Sequence, residues 1–234
     1  SQKLLEFLEN WLKNKINTTL KSLIDLKNLK ERNSSMKALA YQLYENNGVL
    51  KRDQVSEYLK KLGQNERKIL RDLGVKFGRY HVFLHRLIKP DAVSLRTLLW
   101  KNYNQKNFTL KPPTFGLNFI DNNKVKDKNF MLLCGFEKFE NFFIRIDILE
   151  RLFVQIINSS SEKEKQVKMM PEMLNLLGCN KENFKKLLKS MNYIVLEKND
   201  ETYFKYKPKK IFKKADKKIE KENPFGVLKN LNFN

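Results

Sequence analysis

Residues 171–206 read PEMLNLLGCNKENFKKLLKSMNYIVLEKNDETYFKY, and this stretch decides the fold predicted for the C-terminal half of the chain. Pro171 suits the first turn of a helix, because a helix start needs no amide donor at that position. Gly178 can end this helix, since glycine readily adopts the left-handed conformation of a helix C-terminus. Asn180 can accept a hydrogen bond from a free amide and so begin the next helix. The pattern predicts two helices in succession.

A hairpin follows these helices in the predicted order. Residues 193–196 and 202–206 are rich in aromatic and β-branched side chains, and Asn199-Asp200 between them favours a turn. Upstream, apolar residues at helical spacing from Ile148 predict a further helix. Three helices and a hairpin are the order of a winged helix, a helix-turn-helix variant that often binds nucleic acid. Small α+β domains with no such role share this order.

Two short apolar runs precede this pattern. Residues 130–136 and 142–146 contain aromatic and β-branched side chains and predict a hairpin of their own. We therefore predict a winged-helix-like α+β module over residues 130–208.

The first hundred residues have a helical pattern throughout. Apolar residues recur every three or four positions from Leu4 to Leu26 and again from Met36 to Tyr44. Pro90 suits the first turn of a further helix that continues through Trp100. The sequence therefore predicts a mainly α fold that begins with an all-helical, bundle-like accessory domain over residues 1–104.

Two segments lack a regular apolar pattern. Residues 105–129 contain Pro112-Pro113 and Gly116, which interrupt helices and strands, and we predict a loop-rich connector there. From Lys205 to Glu222 the chain carries nine lysines against three acids. We predict that residues 209–234 form a basic tail that ends in an apolar hook.

The charge of the chain points to a polyanionic partner. The net charge is +21, although lysine and asparagine are abundant together, as AT-rich coding produces, and part of the lysine excess reflects that bias. Arginine is not inflated in this way, and five of the nine arginines fall within residues 67–96. A guanidinium matches two phosphate oxygens at once, so these residues are candidates for nucleic-acid binding. The candidate set, with neighbouring lysines and those of the tail, is Arg67, Arg71, Lys76, Arg79, Arg86, Lys89, Arg96, Lys209, Lys210, Lys213 and Lys214.

The arginine cluster has a second interpretation. The guanidinium groups could pair with Glu66, Asp72 and Asp91 across helix faces and contribute little to binding. Aromatic residues between the basic ones, such as Phe77 and Tyr80, could stack on bases, but an aromatic stripe is more often part of a core.

The sequence lacks the motifs of a catalytic site. No Gly-Lys-Ser or Gly-Lys-Thr occurs, so the loop that cradles nucleotide phosphates is missing, and we expect this chain neither to bind nor to hydrolyse ATP. His81 and His85 lie four residues apart, as in some zinc sites, but no Glu or Cys near them completes a ligand set. Cys134 and Cys179 have no base or acid that the sequence places beside them. We expect no catalytic residue and no metal site.

Cysteine usage and hydropathy bear on location. Two cysteines without framework spacing are typical of a reduced, cytoplasmic protein. No segment approaches the roughly 18 consecutive apolar residues of a membrane span, so we expect a cytoplasmic protein with no membrane partner. Ser1 opens directly into a periodic apolar stretch, and we expect the chain to be part of a longer protein.

Residues 73–84, LGVKFGRYHVFL, are the most distinctive block of the chain. Together with residues 87–90 (LIKP) and 98–100 (LLW), they resemble a signature of bacterial helicases related to the mitochondrial RNA-degrading helicase, which are superfamily-two enzymes of the DExH type. In that family the signature lies C-terminal to the ATPase core. Further segments that resemble the family are residues 38–50, 135–136 with 144–152, 171–174 with 177–179 and 184, and 223–231.

The resemblance implies a C-terminal accessory region of an ATP-dependent RNA or DNA helicase. ATP and Mg²⁺ would belong to a motor core upstream in the same parent chain, and no catalytic residue of the family falls on this sequence. The implied partners are RNA or DNA and that motor core. Two alternatives stay open: a free-standing, non-enzymatic RNA- or DNA-binding protein, and a protein-interaction scaffold that docks a nuclease or another partner.

Overall fold

The computed structural model describes residues 2–30, 34–104, 110–121, 127–159, 166–198 and 200–208, and this part of the chain is mainly helical with small three-stranded sheets. The helices are α1 Gln2–Thr19, α2 Lys21–Lys27, α3 Ser34–Glu45, α4 Ser56–Lys61, α5 Gln64–Asp72, α6 Pro90–Tyr103, α7 Lys128–Leu133, α8 Ile146–Ser159, α9 Pro171–Leu177 and α10 Lys181–Ser190. The strands are β1 Val49–Lys51, β2 Val75–Phe77, β3 His81–Leu84, β4 Phe119–Asp121, β5 Phe136–Phe139, β6 Phe142–Arg145, β7 Val167–Lys168, β8 Tyr193–Lys198 and β9 Glu201–Tyr206. A 3₁₀ turn, His85–Ile88, joins β3 to α6.

The sheets of the described residues share one strand order. In each, the third strand along the chain lies between the first and the second, giving β1-β3-β2, β4-β6-β5 and β7-β9-β8, all antiparallel. A helix precedes each sheet, and one or two helices lie between its first and second strands. We name these repeats the first module (residues 34–84), the second module (residues 90–145) and the third module (residues 146–206).

The prediction that the first hundred residues are all helical is wrong within the first module. β1, β2 and β3 form a sheet there, with Val82 of β3 opposite both Leu50 and Phe77. Each of these strands has three or four residues, and β3 is buried along its whole length. A fully buried strand has no alternation of polar and apolar residues, so periodicity alone could not separate it from a helix.

The third module confirms the elements predicted from its sequence. α9 begins at Pro171 and ends at Leu177, and Gly178, whose φ of 70° is left-handed, caps it. The Asn180 side chain accepts a hydrogen bond from the Asn183 amide at 2.8 Å and so caps α10. β8 and β9 form the predicted hairpin. These local signals lie within a few residues of the structure that they produce.

The hairpin predicted at the start of the 130–208 region is only partly correct. Its second strand is β6, but Phe130 lies in α7, where Asp127 accepts a hydrogen bond from the Phe130 amide at 2.9 Å. The first strand is instead β5, from Phe136 to Phe139. The interval 105–129, predicted to be loop-rich, contains β4, which pairs with β6.

Buried apolar side chains form clusters that meet between the modules. One cluster lies mainly in the first module with α2, and another lies mainly in the third module and also contacts Tyr80 and Phe119. A small cluster joins Val49 and Phe83 to Ile88 and to Ile146, the first residue of α8. Ile146 is completely buried, which stabilises the contact by about 1.5–3 kcal/mol. No helix within the described ranges is both long enough and apolar enough to cross a membrane.

Candidate nucleic-acid interface

The three modules meet at a buried histidine. His81 begins β3 of the first module and is 3% exposed. Its Nδ1 lies 3.0 Å from Oε1 of Glu150 in α8, and its Nε2 lies 3.3 Å from Oε2 of Glu137 in β5. An imidazolium can donate to both carboxylates, whereas a neutral ring can donate to only one. His81 therefore joins the second and third modules to the first.

The hydrogen bonds of this network favour the charged forms of His81 and Glu137. Burial by itself would lower the pKa of His81, but its hydrogen bonds to Glu137 and Glu150 outweigh burial and raise the pKa above the ordinary value. Burial would raise the pKa of Glu137, yet His81 and Lys51, whose Nζ lies 2.8 Å from Oε1, lower it. Buried charges of this kind are stable only while each has its partner.

Glu150 also holds the turn between β2 and β3. Its carboxylate accepts hydrogen bonds from the backbone amides of Arg79, of Tyr80 at 2.9 Å and of His81 at 2.7 Å. A Cβ on Gly78 would clash with the carboxyl group of Glu150, so a larger residue at this position would displace that carboxylate. The turn is therefore fixed against α8, while the Arg79 side chain is exposed.

A cleft of about 550 Å³ is lined by residues of all three modules, and we name it the central cleft. Its lining includes His81 and Glu137 of the buried network and the carboxylate of Asp53. The Arg79 guanidinium lies 5.9 Å from the centre of the Tyr206 ring. The basic side chains of the lining are Lys51 at the end of β1, Arg52 directly after it, Arg79 from the turn and Lys138 from β5.

Among the predicted candidates that the structure describes, Arg79 alone lines the central cleft. Arg67 and Arg71 lie on α5, with their guanidinium carbons 5.9 and 5.6 Å from the centre of the Phe77 ring. Arg67 also donates to the carbonyls of Leu59 at 2.6 Å and Leu62 at 3.2 Å. Arg67 thus satisfies carbonyls at the end of α4, a structural role, while Arg71 is exposed.

The remaining exposed candidates lie outside the lining of the cleft. Three such residues are exposed: Lys76 on β2, Arg86 in the 3₁₀ turn, and Lys89 directly before α6. Burial lowers the pKa of His85, and the charges of Lys89 and Lys76 lower it further, so these two lysines lie near that ring. The tail residues Lys209, Lys210, Lys213 and Lys214 lie outside the described residues.

Arg96 was predicted as a nucleic-acid-binding residue, and the structure removes it from the candidate set. Its side chain is buried, with 4% of the residue exposed, and it donates to the carbonyls of Leu87 and Leu133, both at 2.8 Å. Burial lowers the pKa of Arg96 to about 10. A guanidinium enclosed in this way cannot reach a phosphate, so Arg96 ties the 3₁₀ turn to the end of α7 and does not bind nucleic acid.

The sequence interpretation missed three of the four basic residues of the cleft. Lys51 and Arg52 lie at the end of a strand in the region that was predicted to be all helical, between two of its predicted helices. The arginine cluster on which the prediction relied begins at Arg67, fifteen positions after Arg52. A period-2 pattern could have indicated Lys138, because it is exposed between the buried Glu137 and Phe139. Tyr206 was predicted as a strand residue only.

The structure places the two histidines and the two cysteines in unrelated surroundings. Each ring nitrogen of His81 faces a different carboxylate, and across the described ranges no three His, Cys, Asp or Glu side chains are arranged to hold a metal ion. Burial raises the pKa of Cys134 to about 12 and that of Cys179 to about 11. Such values disfavour the thiolate form that a nucleophile needs.

In comparisons with protein-family models, with curated proteins and with solved structures, this chain has no match.

Proposed function

We propose that this chain is a nucleic-acid-binding accessory region of an ATP-dependent RNA or DNA helicase, and that it binds the phosphodiester backbone in the central cleft. The observation that carries the proposal is the convergence of basic residues on one cleft: Lys51, Arg52 and Arg79 of the first module and Lys138 of the second. Lysine and arginine are the residues that neutralise phosphates, and most protein–DNA hydrogen bonds go to phosphate and sugar.

We also infer that each module is a winged-helix-like unit. The order helix, strand, helices, hairpin and the shared strand order support this inference. In a helix-turn-helix protein the second helix of the motif contacts the groove, and α5 and α10 occupy that position in the first and third modules. The second module has a single helix, α7, between its first two strands in the described residues.

The helicase part of the proposal rests on sequence resemblance. The block LGVKFGRYHVFL at residues 73–84 spans β2, the turn and β3, and so includes the turn from which Arg79 reaches the cleft. A motor core upstream in the parent chain, which would bind ATP and Mg²⁺, and a cytoplasmic location belong to the same proposal.

A protein-docking scaffold is a second candidate function, and α1 favours it. None of its residues is buried, and Leu4, Phe7 and Trp11 are among its exposed apolar side chains. Exposed apolar patches often mark sites of protein interaction. Partner binding that is independent of salt and of nucleic acid would support the scaffold.

The test of the nucleic-acid proposal is a comparison of Arg79→Ala, Arg79→Lys and Lys60→Ala in the full chain. Binding of a fluorescently labelled oligonucleotide is followed by anisotropy over a range of salt concentrations. We expect Arg79→Ala to weaken binding about tenfold and to reduce the slope of log affinity against log salt by about 0.7–0.9, as loss of one phosphate contact does. Arg79→Lys keeps the charge but loses the bidentate geometry, so we expect an intermediate loss of affinity.

Lys60 is the matched control, because it lies on α4, pairs with Glu57 at 2.9 Å and is not part of the cleft lining. If Arg79→Ala binds no more weakly than Lys60→Ala, the cleft is not the binding site and the proposal fails.

A further inference from the structure

The third module carries a row of lysines on α10. Lys185 is hydrogen-bonded to the carboxylate of Glu197 on β8, and Lys181 lies beside the same carboxylate. Lys186 and Lys189 are exposed, and neither forms an ion pair with another residue of the described chain. Two cations of α10 are thus available to an external anion.

These two lysines adjoin the central cleft. Ser190, the last residue of α10, lines the cleft together with Tyr206. Residues three and four apart share one face of a helix, so Lys186 lies on the same face as both Lys189 and Ser190. The basic lining of the cleft therefore continues from Arg79 and Tyr206 onto the surface of α10.

The hairpin tips of the first and third modules are poorly placed to bind the second strand of a nucleic-acid duplex. The tip of the first module is held against α8, because Glu150 binds the amides of Arg79, Tyr80 and His81. The tip of the third module carries acidic side chains, and that of Glu197 is 66% exposed. The acids at this tip are Glu197, Asp200 and Glu201. Lys198 is the one cation in the sequence of this tip, residues 197–201, and carboxylates repel phosphates, so the tip of the third module is unsuited to the far backbone of a duplex. The exposed Arg79 side chain at the tip of the first module lines the central cleft.

We propose that the central cleft and α10 form one continuous path for a single strand of nucleic acid, on which Lys186 and Lys189 bind phosphates and Tyr206 stacks on a base. This inference rests on the proposed function of the cleft. Tyr206 is 40% exposed. Its ring lies edge to face with Tyr193, and the Arg79 guanidinium lies over it, so the exposed part of an aromatic ring adjoins a phosphate-binding group. Stacking on an open ring requires an unpaired base, which a duplex does not present.

The test uses the charge-reversed pair Lys186→Glu/Lys189→Glu and, separately, Tyr206→Ala, all in the full chain. The probes are a labelled single strand of about 20 nucleotides and a labelled duplex of the same length. We expect the charge reversal to weaken single-strand binding about tenfold or more, because two phosphate contacts become repulsive. We expect Tyr206→Ala to weaken single-strand binding about fivefold or more and to leave duplex binding unchanged.

The matched control is Lys13→Glu/Lys15→Glu on α1, which changes the net charge equally at two exposed positions away from the cleft. If the α10 and α1 variants lose the same affinity, or if Tyr206→Ala lowers single-strand and duplex binding alike, the path is wrong. A loss with Arg79→Ala but not with the α10 variant would leave the proposed function intact and overturn this inference alone. Circular dichroism of every variant establishes that the fold is retained.

Discussion

His81 and Glu137 form a buried pair in which each residue changes the titration of the other. The pKa of His81 is raised above 6.5, since its hydrogen bonds to Glu137 and Glu150 outweigh burial. The pKa of Glu137 is lowered below 4.5 by His81 and Lys51 in spite of burial. A shifted pKa contributes to stability only over the range of pH in which the folded and unfolded chains bind different numbers of protons.

We predict that the free energy of unfolding falls on both sides of a maximum. The contribution of His81 is fully present below pH 6.5 and is lost as the pH rises through its raised folded pKa. The contribution of Glu137 is present above pH 4.5 and is lost as the pH falls through its lowered folded pKa. Urea unfolding at a series of pH values measures the loss of stability at high pH and at low pH.

His81→Gln should abolish the decline at high pH. His85→Gln is the control, because the pKa of His85 is lowered mainly by burial and this residue contributes no such decline. A decline that persists unchanged in His81→Gln would show that another group causes it.

At the scale of single elements, α10 depends on a cap that the sequence encodes directly. Asn180 accepts a hydrogen bond from the Asn183 amide, and the helix then buries Phe184, Leu187 and Leu188 against the core of the third module. A cap satisfies one of the free amides at a helix start and typically contributes about 1 kcal/mol.

We predict that Asn180→Ala lowers the free energy of unfolding by about 1 kcal/mol, whereas Asn180→Asp has almost no effect, because aspartate caps equally well. Chemical denaturation of both variants beside the unchanged chain measures the difference. Equal losses in the two variants would mean that the amide side chain of Asn180 acts through something other than the cap.

At the scale of the whole molecule, Glu150 joins the third module to the first. Its partners are three consecutive amides and the ring of His81, about seventy positions earlier in the chain. The apolar cluster around Ile146 supports the same contact. The modules therefore stabilise one another, and the shape of the central cleft depends on their relative placement.

We predict that Glu150→Gln lowers the free energy of unfolding by about 3 kcal/mol, because it removes the charge that balances a buried imidazolium. The control is Glu172→Gln, an exposed position on α9, for which we expect a change of at most about 0.5 kcal/mol. Urea denaturation followed by tryptophan fluorescence and by circular dichroism compares the two. Equal stability of the two variants would mean that Glu150 does not hold the modules together.

The sequence by itself determined the features that depend on neighbouring residues. The mainly helical character, the start of α6 at Pro90, the cap at Asn180 and the β8–β9 hairpin all follow from side chains within a few positions. The two glutamates around His81 illustrate the opposite case, since they lie 56 and 69 positions from it in the chain. No local pattern encodes such a contact.

Only the tertiary structure decided which basic residues are available to a ligand. Arg79 and Arg96 are the same residue type in the same cluster, yet one is exposed in the central cleft and the other is enclosed by helix ends. The short strands of the first module likewise exist because distant segments supply their hydrogen-bond partners. Composition reports how many charges a chain carries, whereas packing between modules determines which of them meet water and phosphate.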